Sequence, residues 1–227
     1  VEGKDLFVEN DMVFMKTVKG PLKVDCIYRR LDDNFLDPKA FNKDSVIGVP
    51  GLFKCWLKKN VGIINAVGTG VADDKVVYSY VNRMIVYYLG EQPILNQVET
   101  YLCHDDSQKK YVLENLSKLV VKPANASGGY GIMIGPKASS REREEVADKI
   151  KKNPREYIAQ PLETLSTAPT ITEKNIEPRH LDLRPFVLSG KTNYVTTGGL
   201  TRVALRKGST IVNSSQGGGS KDTLIVE

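Results

Sequence analysis

The segment KLVVKPANASGGYGIMIG (118–135) constrains the fold more than any other. An apolar run ends in Lys122 and Pro123, a turn of small residues follows, and a second apolar run (132–135) returns. Two runs of strand length joined by a Gly-containing turn read as a pair of antiparallel strands. Gly128, Gly129 and Gly131 have no Cβ to hold a ligand off the backbone, so the N–H groups of such a loop can approach a phosphate closely. Lys122, delivered by the strand end, adds a point charge for the same anion. An ordinary glycine hairpin with an exposed lysine fits these residues equally well, and the local sequence does not choose. A Walker A loop is excluded, because neither this segment nor GGGSK (217–221) follows GxxxxGK[ST].

The flanking segments alternate between strand and helix. SSREREEVADKIKKN (139–153) predicts a helix capped by Ser139 or Ser140, with acidic residues in its first turn. YIAQP (157–161) predicts a strand closed by proline. Upstream, VGIINA (61–66) predicts a buried strand, and GTG (68–70) turns the chain into a helix from about Asp73 to Leu89. Strand, turn and helix in that order form a βα unit of a parallel sheet. GTGVADDK alone reads as a tight βα turn with an acidic helix start, since the third glycine of a dinucleotide fingerprint is missing. Leu6, Val8, Val13 and Met15 around Asn10-Asp11 predict a hairpin, VDCIYRR (24–30) a strand with Cys26 in the core, and Leu52–Lys59 a helix. QKKYVLENL (108–116) reads as a short helix. The threonine-rich stretch 164–177 reads as a linker or a loop beside a site.

Composition narrows the partners. A net charge of +5 over 227 residues is mild, with basic residues scattered in pairs, so nothing prompts a nucleic-acid partner. No apolar run approaches the ~20 residues that span a membrane. The start VEGKDLFVEN is polar and lacks methionine, which suggests neither a signal peptide nor a natural beginning. Three cysteines, far apart and never in a CxxC pair, argue against disulfides or zinc, and the expected compartment is the cytoplasm.

RHLDLRPF alternates His180, Asp182 and Arg184 on one strand face, opposite Leu181 and Leu183. GGLTRVAL sets Arg202 on a following strand, and NSSQGGGSKDT supplies Asn213 in a second glycine turn. Arg184 and Arg202 suit an electropositive wall for phosphoryl transfer, or a pair of structural salt bridges.

The order of these blocks resembles the ATP-grasp superfamily over nearly the whole chain. VDCIYRRLDDNFLDP, GVPGL, NAVGTGVADDK, KPANASGGYG, HLDLRPF, GGLTRVAL and NSSQGGGSKDT together resemble the circularly permuted ATP-grasp proteins, type 2, a family related to glutathionylspermidine synthase-like ligases. The resemblance implies an α/β (α+β) fold, in which a pre-ATP-grasp βα domain (1–115) precedes an antiparallel-sheet lid (116–163) and a partial catalytic subdomain (164–227). It makes Lys75 and Lys122 the two ATP-contacting lysines. It lays the loop of Ser127, Gly128, Gly129 and Gly131 over the phosphates, and sets Gln160 and Leu162 near adenine. LDLRPFVLSG resembles the Asp-x-Arg strand of the ribosomal-protein glutamate ligase group. That adds Asp182 to the nucleotide site and gives Arg184, Arg202 and Asn213 phosphate- and substrate-side roles.

ATP-grasp enzymes hold Mg²⁺ with carboxylates, usually in a Glu-x-Asn pattern, and no such motif follows NSSQGGG here. In the permuted family that segment lies nearer the N-terminus, so the chain resembles the C-terminal portion of a longer protein with its metal ligands elsewhere. The implied activity joins a carboxylate to an amine or another nucleophile through an acyl phosphate, with ATP and Mg²⁺ and no nucleic acid. The fragment alone is then expected to be inactive. A non-catalytic nucleotide-binding scaffold and a phosphotransferase use the same ATP site and stay open. Substrates and oligomeric state are not legible.

Overall fold

Asn10 and Asp11 have positive φ angles of 49° and 59°, the geometry of a two-residue hairpin turn. They join strands β1 (Leu6–Glu9) and β2 (Met12–Met15), paired antiparallel with Leu6 opposite Met15. The computed structural model describes residues 1–125, 131–172, 175–210, 212 and 217–225. The chain forms two compact units, Val1–Leu89 and Gly90–Glu227.

In the first unit, β3 (Leu22–Lys23) adds to β2 and completes a three-stranded sheet. Strands β4 (Cys26–Tyr28) and β5 (Gly62–Ile64) then pair in parallel, as the βα reading requires. The crossover between them carries helices α1 (Asp33–Leu36) and α2 (Leu52–Leu57). Val13, Leu36, Val49, Leu52, Cys55, Val61 and Ile63 form the core. Asp37, only 1% exposed, holds the approach to α2. Its Oδ1 accepts from the amides of Lys39 (2.8 Å) and Gly51 (3.0 Å), and its Oδ2 from that of Phe53 (2.9 Å).

Two expectations fail in this unit. Cys26 is exposed rather than core, because strand alternation turns Ile27 onto the core and Cys26 away from it. The expected helix from Asp73 to Leu89 is two helices, α3 (Lys75–Tyr78) and α4 (Val81–Leu89), after a 3₁₀ turn at Thr69–Asp73. Asp74 caps α3 by accepting from the Val76 amide at 2.7 Å. The Ser79 hydroxyl donates to the Val76 carbonyl at 2.7 Å, a local bond that competes with the helical ladder at the break.

In the second unit, β6 (Tyr101–Leu102), β7 (Leu119–Pro123), β8 (Met133–Ile134) and β9 (Tyr157–Pro161) form an antiparallel sheet in the order β6-β9-β7-β8. Helices α5 (Asp106–Glu114) and α6 (Ser140–Lys152) pack on one side of it. Val112 of α5 and Ile150 of α6 meet Leu119, Val121, Met133 and Ala159 there. A capping box starts α6: Glu142 accepts from the Ser139 amide at 2.7 Å, and the Ser139 hydroxyl accepts from the Glu142 amide at 3.3 Å.

A second sheet runs β10 (Thr167–Ile171), β11 (Ile176–Ser189), β12 (Asn193–Ala204), β13 (Gly218–Lys221), all antiparallel. The linker reading of 164–177 is thereby corrected, since much of it is the edge strand β10. Pro169 and Pro178 lie opposite one another, each lacking the N–H that a ladder bond would need. The β11–β12 register shifts between Pro185 and Val187, a bulge next to another missing donor.

Candidate functional site

The face of the first sheet opposite α5 and α6 carries Lys122. In the β7–β9 register Val120 pairs with Gln160 and Lys122 with Ile158, so Lys122 and Gln160 are diagonal neighbours on one face. Lys122 Nζ donates to Gln160 Oε1 at 2.7 Å. Gln160 Nε2 donates to Thr100 Oγ1 at 2.8 Å, and that hydroxyl donates to the Val98 carbonyl at 2.9 Å. Gln160 is 7% exposed with both ends of its amide bonded, so the lysine rests on a fixed support. Lys122 is half-buried, an arrangement that strengthens its pull on an anion. Leu162, just beyond β9, is exposed.

Gly131 closes the loop that leaves this strand. Its φ of +72° lies in the left-handed region, and a Cβ would come within 2.9 Å of the Pro123 ring. Glycine is therefore required by the backbone at this position. Ser127, Gly128, Gly129 and Asn213 lie outside the described residues.

The second sheet builds another polar group from cross-strand neighbours. Asp182 on β11 lies opposite Arg202 on β12, and the two form a bidentate pair at 2.9 and 2.5 Å. Arg184 Nε approaches the same carboxylate at 3.5 Å from a more exposed position. The Arg202 guanidinium holds the Asp182 carboxyl below the usual carboxylate range, against the opposing effect of burial. The cluster carries two guanidinium groups against one carboxylate, with Arg184 on the outside. His180 does not join it, since its Nδ1 lies 2.8 Å from the Leu165 carbonyl.

In the first unit, Lys75 opens α3. Burial pulls its ammonium below the usual lysine range, while Asp74 and Asp73 act the other way. The loop leading to it, from Asn65 to Gly68, is held by Arg29 and Asp33, which sequence reasoning passed over. The Arg29 guanidinium donates to the carbonyls of Leu31, Asn65 and Ala66 at 2.6, 2.8 and 2.8 Å. Asp33 pairs with Arg29 at 2.5 Å and accepts from the Gly68 amide at 2.9 Å. An Arg and an Asp four apart inside YRRLDD was the available signal, hidden among the flanking charges.

Among the described residues, no three His, Cys, Asp or Glu side chains gather as a metal group would require. No described helix is long and apolar enough to cross a membrane.

Comparison with known proteins identifies the family of the chain. A family model described as circularly permuted ATP-grasp type 2 matches residues 1–204. An uncharacterised protein of Synechocystis sp. is 55% identical over all of this chain and 47% of its own length. A putative glutamate–cysteine ligase of Frankia casuarinae is 48% identical over 99% of this chain and 26% of its own. The chain thus spans about half, or less, of the curated relatives it matches. Among solved structures, D-alanyl-alanine synthetase A from Vibrio cholerae aligns over 98% of this chain and 59% of its own, with a TM-score of 0.48 and 9% identity.

Proposed function

Because the chain belongs to the circularly permuted ATP-grasp type 2 family, we propose that it is the ATP-binding portion of an ATP-dependent ligase joining a carboxylate to an amine or thiol. The observation that carries this reading is the Lys122–Gln160–Thr100 support. It fixes one ammonium group on an otherwise largely apolar sheet face, beside a loop whose sequence suits phosphate contact.

In this reading Lys122 contacts the phosphates together with the loop of Ser127, Gly128, Gly129 and Gly131, and Lys75 is the ATP-contacting lysine that the first unit contributes. Leu162 and the apolar part of Gln160 border the adenine. Arg184 and Arg202 neutralise the transferring phosphoryl group, Asp182 keeps Arg202 in place, and Asn213 faces the substrate. The substrate carboxylate oxygen attacks the γ-phosphorus, and ADP departs with the electrons of the broken bridge. The amine or thiol then attacks the acyl carbon of the acyl phosphate, and inorganic phosphate leaves. No side chain of the protein has to act as nucleophile. Exclusion of water keeps the acyl phosphate from hydrolysis.

The carboxylates of Asp182, Asp33 and Asp37 do not fit a Mg²⁺ site, and among the described residues no group of three or more His, Cys, Asp or Glu side chains could hold one. Asp182 is committed to Arg202, Asp33 to Arg29 and Gly68, and Asp37 to three amides. The proposal therefore leaves the metal ligands outside this chain. It also keeps the division into 1–115, 116–163 and 164–227 as functional parts, and a cytoplasmic setting where ATP is supplied.

Hydroxylamine trapping tests the chemistry, with this chain and a full-length relative assayed in parallel against a panel of carboxylic acids. ATP-dependent formation of a hydroxamate together with ADP supports ligation. A phosphate ester formed in place of a hydroxamate would show that the site serves a phosphotransferase.

A further inference from the structure

Arg29 follows the carboxyl end of β4 and Asn65 that of β5, the two parallel strands of the first unit. Loops at this edge of a parallel sheet are where ligands gather. The Arg29 side chain is 9% exposed, with its guanidinium shared between the Asp33 carboxylate and backbone carbonyls. It draws in two successive carbonyls of the loop, those of Asn65 and Ala66. Asp33 takes the Gly68 amide from the same side.

The direction of these bonds fixes the other face of the loop. A trans peptide points its N–H opposite to its C=O. The peptides 65–66 and 66–67 are both trans, the cis bond lying one residue earlier. Two carbonyls gathered on one guanidinium therefore turn the N–H groups of Ala66 and Val67 together to the opposite side. Among the described residues no acceptor meets either N–H. Successive amides facing one way form a small anion seat. Arg29 and Asp33 offset one another's charge, and the dipoles of the two amides favour an anion on the open side of the loop. Asp74, a possible source of repulsion, has its carboxylate on the Val76 amide.

We propose that the amides of Ala66 and Val67, mounted by Arg29 and Asp33, bind an oxyanion, either a carboxylate or a phosphate. This deepens the ligase reading by adding a second anchor, and rests on that reading only for which reactant carries the anion. Arg29 and Asp33 are positioning residues that touch the loop rather than the ligand.

The test is an amide ¹⁵N–¹H titration of the full 227-residue chain with acetate, inorganic phosphate and ADP as probes. The Ala66 and Val67 amide protons should move downfield together and saturably. A response to acetate with ADP silent assigns the seat to the acid substrate, whereas a response to ADP assigns it to the nucleotide. No saturable movement at these two amides with any probe overturns the proposal. The same spectra report ADP at Lys122 and Gln160, so failure of the seat and failure of the nucleotide reading are separable. Arg29→Lys keeps the charge but cannot reach three carbonyls, and should weaken the response several-fold. Asp33→Asn gives the same comparison if that variant does not fold. A folded variant that responds like the parent chain would overturn the mounting role.

Discussion

Replacing Gln160 with glutamate probes the phosphate role of Lys122 without changing side-chain size. Gln160 Oε1 lies 2.7 Å from Lys122 Nζ, so Gln160→Glu sets a full negative charge where a partial one stood. Thr100 would have to turn its hydroxyl from the Val98 carbonyl toward the new carboxylate. Two unit charges ~4 Å apart interact by about 4 kcal/mol at an effective dielectric of about 20. A phosphate held on the far side of Lys122 would lie about 6 Å from the new charge, and the same expression gives a repulsion of about 3 kcal/mol. Solvent reaches the half-buried lysine and screens part of this. The expected loss is then about 1.4–3 kcal/mol, or roughly 10- to 100-fold in ATP affinity. Isothermal titration with ATP measures it, and a melting curve without nucleotide confirms that the variant is folded. Gln160→Met, which removes the acceptor but adds no charge, should lose much less. A folded Gln160→Glu chain that binds ATP within about twofold of the parent would refute the reasoning, because 1.4 kcal/mol corresponds to a tenfold change.

Other residues give independent tests. Asp37→Ala strips three part-buried amides of their buried acceptor and should cost about 2–4 kcal/mol in urea denaturation, with Asp37→Asn costing less; a loss under about 1 kcal/mol would contradict the capping role. The Asp182 carboxyl titrates below its ordinary 3.8 in the folded chain, chiefly through its bond to Arg202. Its pair therefore stabilises the chain above that value and loses the effect as pH falls through the lowered folded pKa. Asp182→Asn should flatten the acid limb of a stability–pH curve, and an unchanged limb would contradict it. Cys26 is exposed, whereas Cys55 and Cys103 are buried, and burial pushes the Cys103 thiol up to about 11. A disulfide reagent should consume one thiol in the native chain and all three in denaturant; two or more fast native thiols would contradict the burial.

Local chemistry made much of the fold legible. Asn10-Asp11 specifies its turn by accepting positive φ, and Ser139 with Glu142 specifies the start of α6 through mutual backbone bonds. Strands β7 and β9 are short apolar runs with proline at their ends, and their parts in the sheet follow. Long-range pairing was harder to read. Thr167–Ile171 has the polarity of a loop and becomes a strand because β11 offers it a partner. The side that Cys26 takes depends on which residue of β4 meets the core, something its composition does not state. The support beneath Lys122 joins residues 38 and 60 positions apart, so no local window contains it. Asp182 and Arg202 were legible as separate charges, while their bidentate contact is set by the β11–β12 register.

ATP-dependent thermal stabilisation, with and without Mg²⁺, on this chain and on Lys122→Ala tests the nucleotide site most directly. A shift in the parent chain that disappears in the variant is the expected result, with persistence in the absence of Mg²⁺ if the metal ligands lie outside this chain. An equal shift in both proteins would place ATP away from Lys122 and contradict the site described here.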